Sequence, residues 1–330
     1  MKILVTGGAG FIGFHVARAL AMRGDEVVAI DNFNDYYDMG LKKARAAELE
    51  KIGKGEKHDG KNINEILMVK VDISDYAAME KLFKKHKFDK ICHLAAQAGV
   101  RYSLEKPFVY EKSNILGTLV LLELARHNRI KDFVFASSSS VYGNNKKTPF
   151  SEKDNVDEPI SLYAATKKSC ELMAYTYHAL YGINCTGLRF FTVYGPWGRP
   201  DMAIYKFTKS IIEKKPVEVF VDGELKRDFT FIDDIVLGVL AAIDKPLPYE
   251  IINLGNNKPI TVNKMIEVLE KSLSMKAEKK NLPQQPGDVK ITYADISKAK
   301  KLLGWNPTIS IEEGIKGFVS WYEDYYDIKR

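Results

Sequence analysis

The segment TGGAGFIG, residues 6–13, restricts the possible folds of this chain more than any other feature. It follows the apolar run KILVT (2–6) and leads directly into the helical pattern FIGFHVARALAMRG. Gly7, Gly10 and Gly13 permit a tight turn that the backbone of a ligand-binding loop needs, and the helix start offers unpaired N–H groups. Strand, turn and helix together predict a site for the pyrophosphate of a dinucleotide.

The rest of the first half alternates apolar runs with helical patterns. The predicted strands are EVVAID (26–31), ILMVKVD (66–72), DKICHLA (89–95) and KDFVFASS (131–138). A long helical stretch is expected from about Leu104 to His127, and the polar stretch 53–64 is expected to be a surface insertion. This alternation predicts an α/β fold, namely a Rossmann-type doubly wound parallel sheet with helices on both faces.

The second half of the chain is less regular and predicts a smaller domain interleaved with the first. INCTGLRF (183–190) and EIINLG (250–255) resemble core strands, whereas the residues from about 256 onward mix helical patterns with Pro-rich loops. The division expected is a nucleotide-binding domain at 1–182, with return segments at about 229–255. The C-terminal substrate domain then takes residues 183–228 and 256–330.

Composition and residue placement exclude several classes of protein. The first apolar run ends at Val5, which predicts neither a signal peptide nor a membrane anchor. Cys92, Cys170 and Cys185 lie far apart in apolar or helical surroundings, as buried thiols of a reducing, cytoplasmic compartment do. The six histidines form no metal-ligand cluster. The net charge of +6 is spread among both signs, which disfavours nucleic-acid binding but suits a small anionic ligand.

Two aspartates follow predicted strands and bear on the choice of dinucleotide. Asp31 ends the second strand, 18 residues beyond Gly13. A carboxylate there can accept hydrogen bonds from the ribose hydroxyls and would repel a 2′-phosphate, so the sequence favours NAD over NADP. Asp72 ends the third strand, where it either faces the adenine edge or caps the next helix.

Tyr163 and Lys167, in SLYAATKKSC (161–170), are four residues apart and should project from one helix face. A neighbouring ammonium and a positive nicotinamide ring favour the phenolate form of a tyrosine. A phenolate can take a proton from a sugar hydroxyl while hydride leaves the carbon. The spacing alone is common on amphipathic helices, but the dinucleotide turn and the serines of FASSSSVYG, at the carboxyl end of the fifth strand, favour a catalytic pair.

These motifs together resemble the extended short-chain dehydrogenases/reductases, the family of nucleotide-sugar epimerases and dehydratases. The likeness covers nearly the whole chain through TGGAGFIG, DNF, VDISD, HLAAQAGVR, SSSSVYG, YAATK, RFFTVYGP and RDFTFIDDI. Four longer segments are similar to those of the UDP-glucuronate 4-epimerases within that family: DNFNDYYD, LAAQAGVRYS, RFFTVYGPWGRPDMA and GDVKITYAD.

The resemblance implies a role for each of several residues. Tyr163 would be the base, Lys167 its partner and Ser138 the catalytic hydroxyl. The residues implied to contact NAD are Gly7, Gly10, Phe11, Ile12, Gly13, Asp31, Asn32, Asp72, Ile73, Leu94, Ala95, Ala96, Gln97, Asn114, Tyr163, Lys167 and Phe190. The residues implied to contact a UDP-sugar are Arg101, Ser138, Ser139, Ser140, Thr192, Arg199, Lys206, Arg227 and Asp288.

Within the sugar set, Arg227 is the best candidate for the diphosphate and Asp288 for a ribose hydroxyl. Arg199 and Arg101 are candidates for a sugar carboxylate, although arginines in such loops are as often diphosphate ligands or surface residues.

The resemblance implies C4 epimerisation of UDP-glucuronate to UDP-galacturonate through a transient 4-keto sugar. The alternatives are a UDP-glucose/UDP-galactose 4-epimerase and, less favoured, a UDP-glucuronate decarboxylase. Dehydratases and decarboxylases of the family usually carry an acid immediately before VYG, where this chain has Ser140, whereas simple UDP-glucose epimerases also lack that acid. A non-catalytic NAD-binding sensor or scaffold is a further alternative, which the intact Ser138, Tyr163 and Lys167 set disfavours. The family also implies a homodimer, through helices at about 104–127 and 161–181.

Overall fold

Seven parallel strands form the central sheet of the protein. The structure is a computed structural model, and it describes residues 1–53, 57–58, 61–283 and 290–329. The strands are β1 (Lys2–Thr6), β2 (Glu26–Asp31), β3 (Lys57–His58), β4 (Lys61–Asn62), β5 (Ile66–Lys70), β6 (Lys90–His93), β7 (Asp132–Ser138), β8 (Asn184–Phe190), β9 (Thr192–Tyr194), β10 (Val217–Phe220), β11 (Lys226–Arg227), β12 (Phe229–Phe231), β13 (Tyr249–Leu254), β14 (Ile260–Thr261), β15 (Lys279–Leu282) and β16 (Ile291–Thr292).

Twelve α-helices are present in the described ranges. They are α1 (Phe11–Met22), α2 (Met39–Lys51), α3 (Tyr76–Lys85), α4 (Tyr102–Glu105), α5 (Pro107–Tyr110), α6 (Gly117–His127), α7 (Leu162–Tyr181), α8 (Ala203–Ile212), α9 (Ile232–Asp244), α10 (Val262–Leu273), α11 (Ser297–Leu303) and α12 (Ile311–Tyr325). A π-helical segment, Glu111–Leu116, joins α5 to α6, and short 3₁₀ turns lie at Ser139–Tyr142 and Val221–Gly223. None of the helices in these ranges is both long enough and apolar enough to span a membrane.

The central sheet has the strand order β5–β2–β1–β6–β7–β8–β13, and every neighbouring pair is parallel. The chain builds outward from β1 in one direction through β2 and β5, and then in the other from β6 to β13. The predicted Rossmann-type α/β fold is therefore confirmed. Its switch point lies between β1 and β6, where such sheets bind ligands beyond the carboxyl ends of the strands.

The strands of this sheet are apolar on both faces because helices cover both sides. In β1, Ile3 and Val5 pack into one core with Phe14 of α1, while Leu4 packs into a second core with Leu121 of α6. The three β1 side chains have no exposed surface. Because a core packs against each face of the sheet, the carboxyl ends of its strands are held in place, and so are the loops that follow them.

The helical stretch predicted from about Leu104 to His127 is interrupted. Lys106 leaves the helical conformation, with φ −129° and ψ 65°, and Pro107 begins α5. Proline disfavours helical geometry in the residue before it and lacks the N–H that would continue the preceding helix. The π-helical segment that follows carries Asn114 into the interior.

As far as the structure describes it, the second half of the chain forms three smaller sheets in addition to the two strands that it contributes to the main sheet. One three-stranded sheet has the order β14–β11–β16, and two pairs join β10 to β15 and β9 to β12. The division drawn from the sequence placed residues 183–228 in the second domain, but β8 is hydrogen-bonded between β7 and β13 in the central sheet. We therefore propose that the first domain includes β8. The predicted insertion at 53–64 lies partly outside the described residues; within it, β3 and β4 form an antiparallel pair.

Candidate active site

A cavity of about 550 Å³ lies at the carboxyl ends of the strands around the switch point. Of the residues predicted to bind a dinucleotide or catalyse a reaction, the cavity is lined by Gly7, Gly10, Phe11, Ile12, Gly13, Asp31, Asn32, Asp72, Ile73, Leu94, Ala95, Ala96, Gln97, Ser138, Tyr163, Lys167 and Phe190. Of those predicted to bind a sugar nucleotide, it is lined by Arg101, Ser138, Ser139, Ser140, Thr192, Arg199 and Lys206. One continuous space thus joins the residues predicted for the dinucleotide with those predicted for the sugar nucleotide.

The glycine turn depends on missing side chains. Gly7 has φ +75°, and a Cβ there would lie 2.9 Å from the backbone nitrogen of Ala95 on the neighbouring strand end. A Cβ on Gly13 would overlap the carbonyl of Gly7. Gly10 precedes α1 without a side-chain cap, so the first-turn N–H groups stay open toward the cavity. This geometry fits the pyrophosphate of a dinucleotide.

The two aspartates after β2 and β5 have distinct surroundings. Asp31 is 9% exposed, and its carboxylate accepts a hydrogen bond from the backbone of Phe33 at 2.8 Å. Burial opposes ionisation of Asp72, but hydrogen bonds from Ser74 and Asn32 outweigh it and hold the pKa of this carboxyl below its usual range. Asp75, rather than Asp72, caps α3. The capping alternative for Asp72 is therefore wrong, and Asp72 lines the cavity.

Tyr163 and Lys167 lie in the first two turns of α7, which is capped by the side chain of Ser161. The ammonium of Lys167 is buried and donates to the Ala136 carbonyl at 2.8 Å, near the end of β7. The ring of Tyr163 packs edge-on against Tyr110, with centroids 6.1 Å apart. Both side chains reach the cavity, as expected for residues four apart on one helix.

Glu171 ties this helix to the ends of two strands. Its carboxylate accepts hydrogen bonds from the Ser137 hydroxyl at 2.6 Å and from Nε and Nη2 of Arg189, each at 2.8 Å. The side chains of Glu171 and Arg189 are each 3% exposed. Ser137 directly precedes Ser138, and Glu171 lies on the same helix as Tyr163. The contact therefore fixes the position of Ser138 relative to Tyr163.

A buried histidine lies behind the cavity. Nδ1 of His93 lies 2.8 Å from the Thr6 hydroxyl, and Nε2 lies 3.0 Å from the Thr118 hydroxyl. Burial, assisted by the charge of Lys167, lowers the pKa of His93 to about 3. The imidazole therefore stays neutral and leaves Lys167 as the cation on this side of the site.

Two predicted residues do not line the cavity, and a third lies outside the described residues. Asn114 is buried; its amide accepts from the Gln97 backbone N–H at 2.8 Å and donates to Thr166 at 3.0 Å, so it ties the backbone at Gln97, which lines the cavity, to α7. Arg227 lies in β11, where its Nη1 donates to the carbonyl of Lys226. Asp288 lies outside the described residues.

Comparison with known proteins identifies the family. A family model described as GDP-mannose 4,6 dehydratase matches residues 4–318. The chain belongs to this family of extended short-chain dehydrogenases/reductases.

Relatives within the family share about half of this sequence. The chain is 49% identical over 326 residues to UDP-glucuronate 4-epimerase of Thermodesulfobacterium geofontis, covering 98% of this chain and 97% of the relative. It is 50% identical over 345 residues to UDP-glucuronate 4-epimerase 4 of Arabidopsis thaliana, covering 99% of this chain and 76% of the relative.

Solved structures give the same grouping. UDP-glucuronic acid 4-epimerase from Bacillus cereus, in complex with UDP-glucuronic acid and NAD, matches with a TM-score of 0.89 at 38% identity, covering 99% of this chain and all of that one. UDP-glucose 4-epimerase from Thermotoga maritima, with UDP-glucose, matches with a TM-score of 0.87 at 34% identity and the same coverage.

The cavity also holds several polar residues that the sequence motifs did not single out. Lys42 of α2 donates from Nζ to the backbone and side-chain oxygens of Asn34, at 2.9 and 2.6 Å, and burial lowers its pKa. Tyr36 and Asp201 also line the cavity beside Arg199. Apart from Lys42, these residues lie inside DNFNDYYD and WGRPDMA, two segments on which the resemblance rests. The sequence therefore pointed to these residues without indicating what each one does. In the described part of the chain, no group of three histidine, cysteine, aspartate or glutamate side chains is placed to hold a metal ion.

Proposed function

We propose that this protein is an NAD-dependent UDP-glucuronate 4-epimerase, an isomerase that interconverts UDP-glucuronate and UDP-galacturonate through a transient 4-keto sugar. The observation that carries the proposal is the shared cavity, which Tyr163, Lys167 and Ser138 line together with the glycine turn and Arg199. Identity of about half the residues to named UDP-glucuronate 4-epimerases over the full chain supports it.

The residues present fit NAD as the cofactor. The glycine turn leaves room for a pyrophosphate, and Asp31 lies at the end of β2, where a ribose hydroxyl can donate to it and a 2′-phosphate would be repelled. NAD⁺, when bound, supplies an acceptor for the hydrogen at C4 and returns it to the opposite face of the sugar. Since the reaction is redox-neutral overall, added cofactor is not consumed.

The side chains of this protein carry the proton transfers. Tyr163, as the phenolate, takes the proton of the sugar O4 while that oxygen becomes a carbonyl, and later gives the proton back. The ammonium of Lys167 is fixed by the Ala136 carbonyl and lies on the same helix face as the phenol of Tyr163. The hydroxyl of Ser138 donates to the same sugar oxygen and steadies its developing charge.

A uronic acid adds a hazard, because its 4-keto form is a β-keto acid that can lose CO₂. The site must hold the carboxylate so that its bond to C5 is poorly aligned with the ketone. Hydroxyls of Ser139, Ser140 and Thr192 line the cavity together with the guanidinium of Arg199 and can hold it by hydrogen bonds. Ser140 also occupies the place where dehydratases of the family usually carry an acid, which argues against water elimination.

The test is to incubate the purified protein with UDP-glucuronate and, separately, with UDP-glucose, without added NAD⁺, and follow both by NMR. We expect UDP-galacturonate from the first. Conversion of UDP-glucose alone would instead indicate a UDP-glucose 4-epimerase, and UDP-pentose with CO₂ a decarboxylase. Tyr163→Phe should abolish turnover, whereas Tyr76→Phe, a matched change at a 42% exposed tyrosine outside the cavity lining, should not. Full turnover by Tyr163→Phe would contradict Tyr163 as the base, and absence of turnover with either substrate in the wild type would leave the non-catalytic alternative.

We also propose that two copies of the protein associate through the helices α4 to α7. Large apolar side chains are exposed there: Leu104 at 70%, Phe108 at 83%, Leu172 at 56% and Leu180 at 66%. Burying them against a second copy would remove this surface from water. Light scattering should report a dimer for the wild type and a monomer for Leu172→Glu. Leu237→Glu, a change at a 58% exposed leucine on α9, should leave the dimer intact.

A cytoplasmic location belongs to the same proposal. Cys92, Cys170 and Cys185 are all free and buried thiols, as is usual in proteins of a reducing compartment.

A further inference from the structure

Arg199 is held in the cavity by a second charged residue that the proposed mechanism does not use. Its Nε donates to Oδ1 of Asp201 at 3.0 Å, and its Nη2 donates to Oδ2 of the same carboxylate. The phenol of Tyr36 donates to that Oδ2 at 3.1 Å, and the guanidinium lies 5.8 Å from the centroid of the Tyr36 ring. The three side chains form one unit on the cavity wall.

The geometry of the pair orients the arginine. A guanidinium carries five donor hydrogens in a rigid planar fork, and Asp201 takes two of them along the edge formed by Nε and Nη2. In the described part of the chain, no hydrogen bond is made by Nη1 of Arg199. The outer edge of the fork is therefore available to an anion, and planar pairing with a carboxylate is the interaction for which that edge is built.

Arg199 and Tyr36 both keep their protons at neutral pH. Burial works to lower the pKa of Arg199, but the Asp201 carboxylate outweighs it, so the guanidinium stays charged. Burial and the Asp201 charge raise the pKa of Tyr36 to about 12, so its phenol remains a donor. Arg199 also lies close enough to Tyr163 for the two side chains to interact electrostatically.

The loop opposite leaves space for this arrangement. Gly99 has φ +102°, and a Cβ there would overlap the hydroxyl of Tyr36. The backbone of the AAQAG loop thus comes close to the phenol and limits its movement. Tyr36 in turn donates to the same oxygen of Asp201 that accepts from Nη2 of Arg199, which adds a second contact holding that carboxylate.

We propose that Asp201 is a positioning residue that decides what this site makes: by holding Arg199 along one edge, it turns the opposite edge toward the C6 carboxylate of the 4-keto sugar and keeps that carboxylate from leaving. The inference rests on the proposed function and adds a residue pair, Asp201 with Tyr36, that controls its outcome. Arg199 touches the substrate, whereas Asp201 and Tyr36 act through it.

The competing step is a decarboxylation. In the 4-keto sugar the C5–C6 bond breaks, its electron pair moves to C5 and is shared with the C4 ketone oxygen as an enolate, and CO₂ leaves. A proton from water then adds at C5. The step requires the C5–C6 bond to stand perpendicular to the plane of the ketone, so a carboxylate held near that plane by Arg199 reacts slowly.

The experiment follows UDP-[6-¹³C]glucuronate by carbon NMR with wild-type protein, Asp201→Asn and Tyr36→Phe. Label remaining in UDP-galacturonate reports epimerisation, and labelled CO₂ or bicarbonate reports decarboxylation. We expect the CO₂ share of turnovers to rise about tenfold or more in Asp201→Asn, since one charge-assisted pair is lost, and less in Tyr36→Phe. The KM for UDP-glucuronate should rise while the affinity for UDP, which lacks the carboxylate, stays unchanged.

Asp244→Asn is the matched control, because Asp244 pairs with Arg23 at 2.8 Å, outside the cavity lining. Its product ratio should equal that of the wild type. An unchanged ratio in both Asp201→Asn and Tyr36→Phe, with epimerisation intact, would overturn the inference alone. Wild-type protein that leaves UDP-glucuronate unconverted would overturn the proposed function, and this inference with it.

Discussion

Neutralising Glu171 tests whether helix α7, which carries Tyr163 and Lys167, depends on its buried ion pair. Glu171→Gln keeps the shape of the side chain but leaves Arg189 without its counter-charge. Both side chains are 3% exposed, and burial opposes the charge of Arg189 while the bonds to Glu171 more than compensate and raise its pKa. An arginine cannot escape by losing its proton. Removing one partner of such a pair costs about 3–5 kcal/mol.

That free energy converts into a measurable change in melting temperature. At about 2.1 cal/mol/K per residue, the unfolding entropy of a chain of this length is about 0.7 kcal/mol/K. The expected decrease in Tm is therefore about 4–7 °C. Calorimetry at fixed cofactor concentration measures it, because a ligand that binds the folded state shifts the Tm by itself.

A surface pair provides the comparison. Glu80 and Lys84 on α3 form an ion pair of 2.7 Å with side chains 40% and 69% exposed, and such pairs contribute about 0–1 kcal/mol. Glu80→Gln should therefore change the Tm by little more than 1 °C. Replacing both buried partners, as Glu171→Leu with Arg189→Met, should recover most of the stability but not the activity, since the bond to Ser137 stays lost. A Tm for Glu171→Gln within error of that for Glu80→Gln would refute the reasoning.

Two further predictions follow from the backbone around the site. Gly13→Ala places a Cβ on the Gly7 carbonyl and should abolish NAD binding in a fluorescence titration. Gly317→Ala, whose Cβ meets only one ring atom at 3.7 Å, is the control and should bind NAD normally. NAD binding by Gly13→Ala would show that the turn can shift to make room for the added methyl group. Burial raises the pKa of Asp228 from 3.8 to about 6, although three backbone N–H groups favour its charged form. The contribution of Asp228 to the unfolding free energy, about 3 kcal/mol, is therefore fully present below about pH 4 and lost as the pH rises through about 6. Urea unfolding of Asp228→Asn across that range should lack this slope, and an equal slope in both proteins would contradict the assignment.

The central sheet was predictable because its signals are local. Each strand of the sheet is a short apolar run followed by a turn or a helical pattern, and burial on both faces makes that run continuous. The predicted starts and ends agree with β1 and β2 to the residue, and with the other sheet strands to within about two residues. The helical stretch after Leu104 was predicted too simply, because the effect of Pro107 on Lys106 was not weighed.

The cavity wall was harder to predict because its contacts join distant residues. Tyr36 and Asp201 are 165 positions apart, and no spacing rule links them. Lys42 and Arg45 lie in KKARAAELEK, whose charge pattern is typical of a solvated helix face, yet both side chains are buried. A charge that is buried by its tertiary neighbours leaves no mark on local periodicity.

Arg45 shows how such a contact couples the two halves of the site. It is fully buried in α2, and its Nη1 donates to the Ala9 carbonyl inside the glycine turn at 2.9 Å. Its Nε donates to the carbonyl of Trp197 at 3.1 Å, and Nη2 donates to that of Gly198 at 3.2 Å. Gly198 immediately precedes Arg199, so one guanidinium fixes the turn that suits a pyrophosphate and the loop that carries the carboxylate candidate. The distance between the two halves of the site is thus set by a side chain that lines neither, and a change at Arg45 should disturb both at once.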